Sequence, residues 1–283
     1  MHRMNIKVAA VVVTYNRKEM LRKCLQKLKA QSYKIDCIYI VDNASSDGTY
    51  QEFVNLEDTI YIRLEENEGG SGGFYYGIKK AFDDGYDYIW GMDDDAFPKQ
   101  DSLEKIMEAV NSMPQDTCFW SNCNNDKLFD GNIKEVREWM FVGFFLPKKV
   151  IDEVGLPCKD FFIYYDDSEY SNRIIKRGYH IYKVRDSLIE HLSVPEKTVA
   201  KIKVKNKIIN VTAVPEQKWR VYYWIRNDIL RFTKMDKEKM HSILIRCPRK
   251  LLKTIIFRPE YILIAIKGYF HGLIGKKGKY IEP

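Results

Sequence analysis

Three aspartates in a row, Asp93, Asp94 and Asp95, follow an apolar aromatic run made by Tyr86, Tyr88, Ile89, Trp90 and Met92. Carboxylates this close repel one another and perturb each other's proton affinity. A divalent cation with oxygen ligands would relieve that repulsion, and so would solvation of an acidic turn at a strand end. A second carboxylate pair, Asp166-Asp167, follows the aromatic run 161–165. A carboxylate beside stacking faces such as Tyr164 and Tyr165 suits a general base acting on a sugar hydroxyl. Acidic residues at a helix start, favoured by the macrodipole, have the same appearance. His191, after Leu188-Ile189-Glu190, offers an imidazole that serves either as a metal ligand or as a structural hydrogen-bonding group.

Two further clusters are polar. Asp42-Asn43, followed by Ser-Ser-Asp-Gly-Thr, provides a carboxylate and an amide that could bind a nucleoside base or ribose, and the same residue types cap helices. The run Gly69-Gly70-Ser71-Gly72-Gly73 fits neither a dinucleotide fingerprint nor a P-loop, because the first strand leads into Thr-Tyr-Asn-Arg and no Gly-Lys-Ser/Thr follows. It leaves two readings: backbone that approaches an anion at a helix N-terminus, or a flexible linker.

These groups need a scaffold. The β-branched run 8–13 predicts a strand ending at Thr14-Tyr15-Asn16-Arg17, and Met20, Leu21, Cys24, Leu25 and Leu28 recur at helical spacing. Strands are expected over 38–41, 60–64 and 86–92, with a short helix after 44–49 and a helix over 75–82. Strands alternating with helices imply an α/β, doubly wound, mostly parallel sheet. Every polar cluster then sits at a strand's carboxyl end, where open α/β sheets bind ligands. Further on, the pattern predicts a helix over 102–113, a strand over 139–146 and a turn or helix over 148–154. A short strand over 161–165 and a helix over 168–177 follow, then a loop or edge ribbon over 195–215 and helices over 219–232 and 239–256. The simplest partition is a catalytic domain of 1–215 with a helical extension of 216–283.

Composition narrows the class. The 283 residues are 45% hydrophobic and 30% charged, ordinary for a globular protein with a sizeable core. Six scattered cysteines without a Cys-x-x-Cys pair favour neither a zinc site nor a disulfide framework, and they suit a reducing cytoplasm. No run of 18 apolar residues marks a spanning helix, and the N-terminal apolar run is too short for a signal peptide. Residues 1–196 carry 25 Lys+Arg against 33 Asp+Glu, net −8, and residues 197–283 carry 21 against 6, net +15. An acidic body with a basic tail suggests a separate task for the tail, with nucleic acid or an anionic membrane as its partner. Residues 246–279 interleave nine Lys and Arg with Leu, Ile and Phe, the composition of an interfacial amphipathic helix or of a helical pair packed on the body.

Taken in order, the clusters resemble family-2 glycosyltransferases, inverting enzymes of the GT-A fold that use nucleotide-sugar donors. The resemblance rests on Val-Val-Val-Thr-Tyr-Asn-Arg (11–17), Val-Asp-Asn-Ala-Ser-Ser-Asp-Gly-Thr (41–49), Asn-Glu-Gly-Gly-Ser-Gly-Gly-Phe (67–74) and Trp-Gly-Met-Asp-Asp-Asp-Ala-Phe-Pro (90–98). Tyr-Asp-Asp-Ser-Glu-Tyr (165–170) and Glu-His-Leu (190–192) complete the set. Tyr222-Tyr223-Trp224-Ile225-Arg226-Asn227 looks like the Tyr-Tyr-x-x-Arg-Asn element of polysaccharide-building members.

The resemblance implies roles. Thr14, Arg17, Asp42, Asn43, Asn67, Gly70 and Gly73 would hold the donor, with Asp93 and Asp94. Asp93, Asp95 and His191 would bind Mn²⁺ or Mg²⁺. Asp167 would be the base, with Asp166 as its neighbour and alternative, and Tyr164 and Tyr165 would meet the acceptor. The glycine element looks most like the galactofuranosyltransferase branch, which uses UDP-galactofuranose, and rhamnosyltransferases using dTDP-rhamnose are close relatives. That branch tends to carry Trp where this chain has Tyr165. The implied partners are a nucleotide sugar, a polyprenyl-linked or polysaccharide acceptor, and a membrane surface met by the tail. No nucleic acid is implied, and a homo-oligomer is compatible with the reading. The implied location is cytoplasmic, at the inner face of the membrane. A nucleotidyltransferase would share the sheet and the metal but should carry a basic glycine-rich loop after its first strand, which 14–17 is not. A non-catalytic binding module would have no need of Asp166-Asp167.

Overall fold

The computed structural model describes residues 6–123, 129–192, 197–204, 207–232 and 237–283. They form two compact units, one of Met1–Lys159 and Asp167–Leu192, the other of Asp160–Asp166 and Ser193–Pro283. The expected boundary at 215/216 lies inside the second unit.

The first unit runs β1 (Val8–Thr14), α1 (Lys18–Lys29), β2 (Cys37–Asp42), α2 (Thr49–Phe53), β3 (Thr59–Arg63), α3 (Gly69–Asp83), β4 (Tyr88–Asp93), β5 (Ala96–Pro98) and α4 (Ser102–Ser112). It continues with β6 (Cys118–Cys123), β7 (Ile133–Val136), β8 (Phe144–Pro147), α5 (Lys148–Val154), α6 (Asp166–Lys176, from Asp167 on) and β9 (Ile181–His191). The sheet order is β3-β2-β1-β4-β8-β6-β9-β5, with β7 on β9. The pairs among β3, β2, β1 and β4 are parallel, as is β6 with β9, while β8, β5 and β7 pair antiparallel. The sheet is therefore mixed, with its parallel half built by the first four strands.

β1 is wholly buried because it faces an apolar layer on each side. Val8, Ala10 and Val12 pack with Leu21, Leu25, Leu28, Leu103 and Ile106, and Ala9, Val11 and Val13 pack with Phe74 and Ile78. This is why the strand reads as a continuous apolar run without alternation.

Several elements depart from the sequence pattern. The glycines of 69–73 form the first turns of α3, which starts six residues before the expected helix. A Cβ on Gly73 would meet Val13 Cγ1 at 2.4 Å, so glycine here permits close helix–sheet approach. Residues 139–143 are a loop in place of a strand, buried except at Met140: Gly143 takes φ +76° and only 144–147 continues as β8. Residues 161–165 are likewise no strand: a single 3₁₀ turn, Lys159–Phe161, leads into left-handed backbone at Phe162, Tyr164 and Tyr165. β6 and β9, which supply the far half of the sheet, have no counterpart in the sequence reading.

The second unit holds an antiparallel ribbon, β10 (Lys197–Val204) and β11 (Lys207–Pro215), then α7 (Lys218–Leu230), α8 (Lys237–His241), α9 (Cys247–Phe257) and α10 (Ile262–Leu273). Of the expected loop or edge ribbon over 195–215, the ribbon is what forms, and residues 195, 196, 205 and 206 lie outside the described residues. A π-helical segment, Ser242–Arg246, joins α8 to α9 just before Pro248, whose missing N–H cannot support the preceding turn. Val221, Ile225 and Ile229 of α7 pack with Cys247 and Ala265 to form the core of this unit.

Candidate active site

β1, β2 and β4 lie in register, so their carboxyl ends bring Thr14 beside Asp42 and Val13 beside Asp93. Thr14 Oγ1 donates to Asp94 Oδ2 at 2.7 Å. Arg17, three residues past the strand end, donates from Nη1 to Asp95 Oδ2 at 2.8 Å and to Asp94 Oδ1 at 3.3 Å. The guanidinium thus supplies part of the positive charge that three adjacent aspartates require. Burial pushes Asp94 up to about 6 in spite of the Thr14 hydrogen bond and Arg17. Asp95 is also raised by burial, but His191 and Arg17 outweigh that and hold it below the usual carboxylate range.

His191 arrives by backbone pairing. β5 runs antiparallel to β9 with Ala96 opposite His191, and the Leu192 amide donates to Asp95 O at 3.0 Å. His191 Nε2 then lies 3.2 Å from Asp95 Oδ1, a buried oxygen that accepts no well-aligned hydrogen bond. Asp93, Asp95 and His191 each offer one ligand atom, and all three atoms lie within 4.8 Å of one another. Two carboxylates and an imidazole, with one carboxylate oxygen short of a donor, fit a divalent first-row cation such as Mn²⁺. Mg²⁺ more often takes oxygen ligands alone.

Asn43 and Asn67 serve the start of α3. Asn43 Nδ2 donates to Gly69 O at 3.3 Å and its Oδ1 accepts the Glu68 amide at 3.2 Å. Asn67 Oδ1 accepts the Gly69 amide at 2.8 Å. A Cβ on Gly73 would come within 3.1 Å of Asn43 Nδ2, whereas one on Gly70 would meet nothing within 4 Å. Asp42 is wholly buried and committed to protein donors. Its Oδ1 accepts the Ser45 amide at 2.8 Å, and its Oδ2 accepts Tyr61 Oη at 2.7 Å and Arg63 Nη1 at 3.2 Å. Arg63 lies over the Tyr50 ring at 5.3 Å and donates to Ser45 O. Sequence reasoning missed Tyr50, Tyr61 and Arg63. The only available signal was that Arg63 ends a strand whose neighbour ends at Asp42.

The carboxylate pair opens α6, where acidic side chains meet the positive helix end. Asp167 Oδ1 accepts the Ser168 amide at 2.6 Å, and Asp167 O accepts Ser171 Oγ at 2.8 Å. Asp166 is buried and Asp167 half-buried. Tyr165 belongs to the second unit. Its hydroxyl meets Lys250 Nζ at 2.8 Å, and its ring is flanked by Arg231 at 4.6 Å and Lys250 at 4.8 Å. Tyr164 packs partly buried in the same unit. The structure therefore groups Thr14, Arg17, Asp93, Asp94, Asp95 and His191 at the strand ends. It places Asp42, Asn43 and Asn67 at the neighbouring β2 and α3 ends.

A strand-end carboxylate cluster on a mixed sheet with flanking helices is the arrangement of nucleotide-sugar transferases of the GT-A fold. Among solved structures, a mannosyltransferase from Pyrobaculum calidifontis in complex with GDP-Man and Mn²⁺ superposes with TM-score 0.61 at 13% identity, covering 97% of this chain and 89% of its own. The sequence model of glycosyl transferase family 2 matches residues 9–168. The chain belongs to that family and has the GT-A fold. Galactofuranosyltransferase GlfT1 of Mycolicibacterium smegmatis is 28% identical over 200 residues, covering 60% of this chain and 66% of its own length, just under two thirds. The dTDP-rhamnosyl transferase RfbF of Shigella flexneri is 25% identical over 261 residues, covering 85% and 84%.

Proposed function

We propose that the chain is a metal-dependent inverting glycosyltransferase that moves a sugar from a nucleoside-diphosphate donor to a lipid-linked or polysaccharide acceptor in cell-surface glycan synthesis. The observation that carries this reading is the Asp93, Asp95 and His191 cluster, tied to Thr14 and Arg17 at the sheet's carboxyl edge. A bound divalent cation would offset charge on the departing diphosphate. Around it, Arg17 and Thr14 fix the orientation of Asp94 and Asp95. Asp42 acts toward the nucleotide through Arg63 and Tyr61, since its own oxygens are engaged. Asn43, Asn67, Gly70 and Gly73 shape the α3 N-terminus, which favours an anion. Asp167, with Asp166 beside it, takes the proton from an acceptor hydroxyl. The hydroxyl oxygen attacks the anomeric carbon as the bond to the diphosphate oxygen breaks, and one displacement inverts the centre.

The proposed donor is UDP-galactofuranose, supported by the 67–74 element and the likeness to GlfT1. A dTDP-rhamnose donor is the second reading, favoured by the longer match to RfbF and by Tyr165 in place of Trp. A panel of UDP- and dTDP-sugars, each with and without Mn²⁺, separates them by thermal stabilisation, because a bound ligand raises stability by mass action. Stabilisation of about 2–4 °C, the shift that ~1 kcal/mol from several-fold saturation brings, is expected with Mn²⁺ and a UDP-sugar. A response to no nucleotide sugar would sink the assignment.

Membrane attachment is proposed for the second unit. Leu252, Ile256, Leu263, Phe270 and Ile274 stand exposed on α9, α10 and just beyond, with Arg249, Lys267 and Lys277 also exposed. Among the described residues no helix is long and apolar enough to cross a membrane, so contact would be interfacial, on the cytoplasmic leaflet. Replacing Leu252, Ile256, Leu263 and Phe270 by Ser should abolish flotation with anionic vesicles, and unchanged flotation would refute it.

A further inference from the structure

The segment before the carboxylate pair is strained and tightly held. Phe162, Tyr164 and Tyr165 have φ of 68°, 67° and 66°, a left-handed conformation that non-glycine residues rarely adopt. Three such residues within four positions persist only when their surroundings dictate them. Those surroundings are Arg226 and Asn227 of α7, both wholly buried in the same unit.

Asn227 Nδ2 lies within donor distance of Phe161 O at 2.9 Å, Ile163 O at 2.7 Å and Tyr164 O at 3.1 Å, so its two hydrogens are shared among three carbonyls. Arg226 Nη2 donates to Phe161 O at 3.0 Å and Asp160 O at 3.2 Å, and its Nη1 reaches Gly278 O at 2.5 Å. Arg226 Nε donates to Asn227 Oδ1 at 2.7 Å, which fixes which face of the amide carries the donor. The guanidinium is held against the Tyr223 ring at 4.8 Å and the Tyr222 ring at 5.2 Å. Apart from Gly278 O and the Asn227 amide itself, these acceptors are backbone carbonyls of 160–164. Burial lowers Arg226 from its usual value, as expected for a cation paired here with dipoles. A buried guanidinium that faces carbonyls, with no carboxylate among these partners, is a costly arrangement for simple stability.

We propose that Arg226 and Asn227 are the positioning pair of the transfer reaction: by capturing the carbonyls of 160–164 they hold the left-handed run that leads into Asp166, with Asp167 next in the chain. This rests on the reading of that carboxylate pair as the base. The two residues touch neither donor nor reacting atoms in this scheme. They set the backbone direction of the segment that ends at the base.

The test compares Asn227→Ala and Arg226→Lys with the wild-type full chain. The readouts are acceptor transfer, Mn²⁺-dependent UDP binding and the pH profile of kcat. Asn227→Ala should lower kcat for transfer by about 100-fold with UDP affinity and donor KM unchanged, the scale of loss that misplacement of a reacting group brings. Arg226→Lys, which keeps the charge but loses the planar fork, should lose less, and the acid limb of its kcat profile should shift because the base sits differently. A uniform loss of transfer and UDP binding, or an Asn227→Ala transfer rate within twofold of wild type, would overturn the proposal. Where Asn227→Ala does not fold, Arg226→Lys decides alone: an unshifted pH profile with normal kcat refutes it. Failure of the underlying reading is seen separately, as normal transfer by both Asp166→Asn and Asp167→Asn.

Discussion

Each unit contains a buried charge cluster, Asp93–Asp95 in one and Asp228 in the other, and the two are opposite in balance. At the strand ends of the first, three aspartates face a single arginine and a histidine, and one buried Asp95 oxygen accepts no well-aligned hydrogen bond. In the second, a single buried aspartate, Asp228, is surrounded by cations: Lys250 Nζ at 2.7 Å, Arg231 Nη2 at 3.1 Å and Arg246 Nε at 3.8 Å. The first is acidic, and one ligand atom each from Asp93, Asp95 and His191 lies within 4.8 Å of the others. The second is cationic, with Tyr165 and the Trp224 carbonyl accepting from Lys250. An acidic cluster with converging ligand atoms suits a cation from outside, whereas the cations around Asp228 are held within the scaffold by the aspartate, a hydroxyl and a carbonyl.

Asp95→Ala should have the largest effect. Loss of one metal ligand forfeits leaving-group stabilisation of several kcal/mol, so transfer should fall by about 10³-fold or more. The Mn²⁺-dependent gain in thermal stability should vanish too. Full activity in this variant would place the cation elsewhere.

Lys250→Met should instead cost stability. Removing one partner of a buried ion pair typically costs about 3 kcal/mol or more, while UDP binding by the variant should persist. Asp228 is raised by burial but held below its usual range by Lys250, Arg231 and Arg246. Its contribution is therefore present above the unfolded carboxylate pKa of about 3.9 and is lost as pH falls through the lower folded value, a loss that urea titrations below pH 4 should reveal. Tyr165→Phe, which deletes the single hydroxyl–Lys250 contact, should cost about 1.5 kcal/mol and leave acceptor KM unchanged. A raised acceptor KM would support the acceptor contact expected of Tyr165.

The strand-end half of the site was legible because its carboxylates follow β-branched or aromatic runs that can only be buried strands. Asp42, Asp93, Asp94 and Asp95 could be placed at sheet ends from local pattern alone. His191 could be suspected but not placed, since its position depends on the Ala96–His191 pairing between strands about a hundred residues apart in sequence. Of the two readings of 69–73, a helix start or a flexible linker, local pattern could not choose, because the deciding cause is non-local: the helix passes against Val13. Residues 161–165 read as a strand because aromatic residues favour pleated backbone, and only the carbonyl contacts of Arg226 and Asn227 override that preference. Local propensity gave way wherever a distant residue dictated backbone geometry.

The central claim is that Asp167 is the base while the strand-end cluster holds the donor. Single-turnover transfer by Asp167→Asn, measured beside Mn²⁺-dependent UDP binding, tests it most directly. Loss of a general base should slow transfer by about 10²–10⁴-fold with UDP affinity within twofold of wild type. Transfer within a few-fold of wild type, or a parallel loss of UDP binding, would contradict the account.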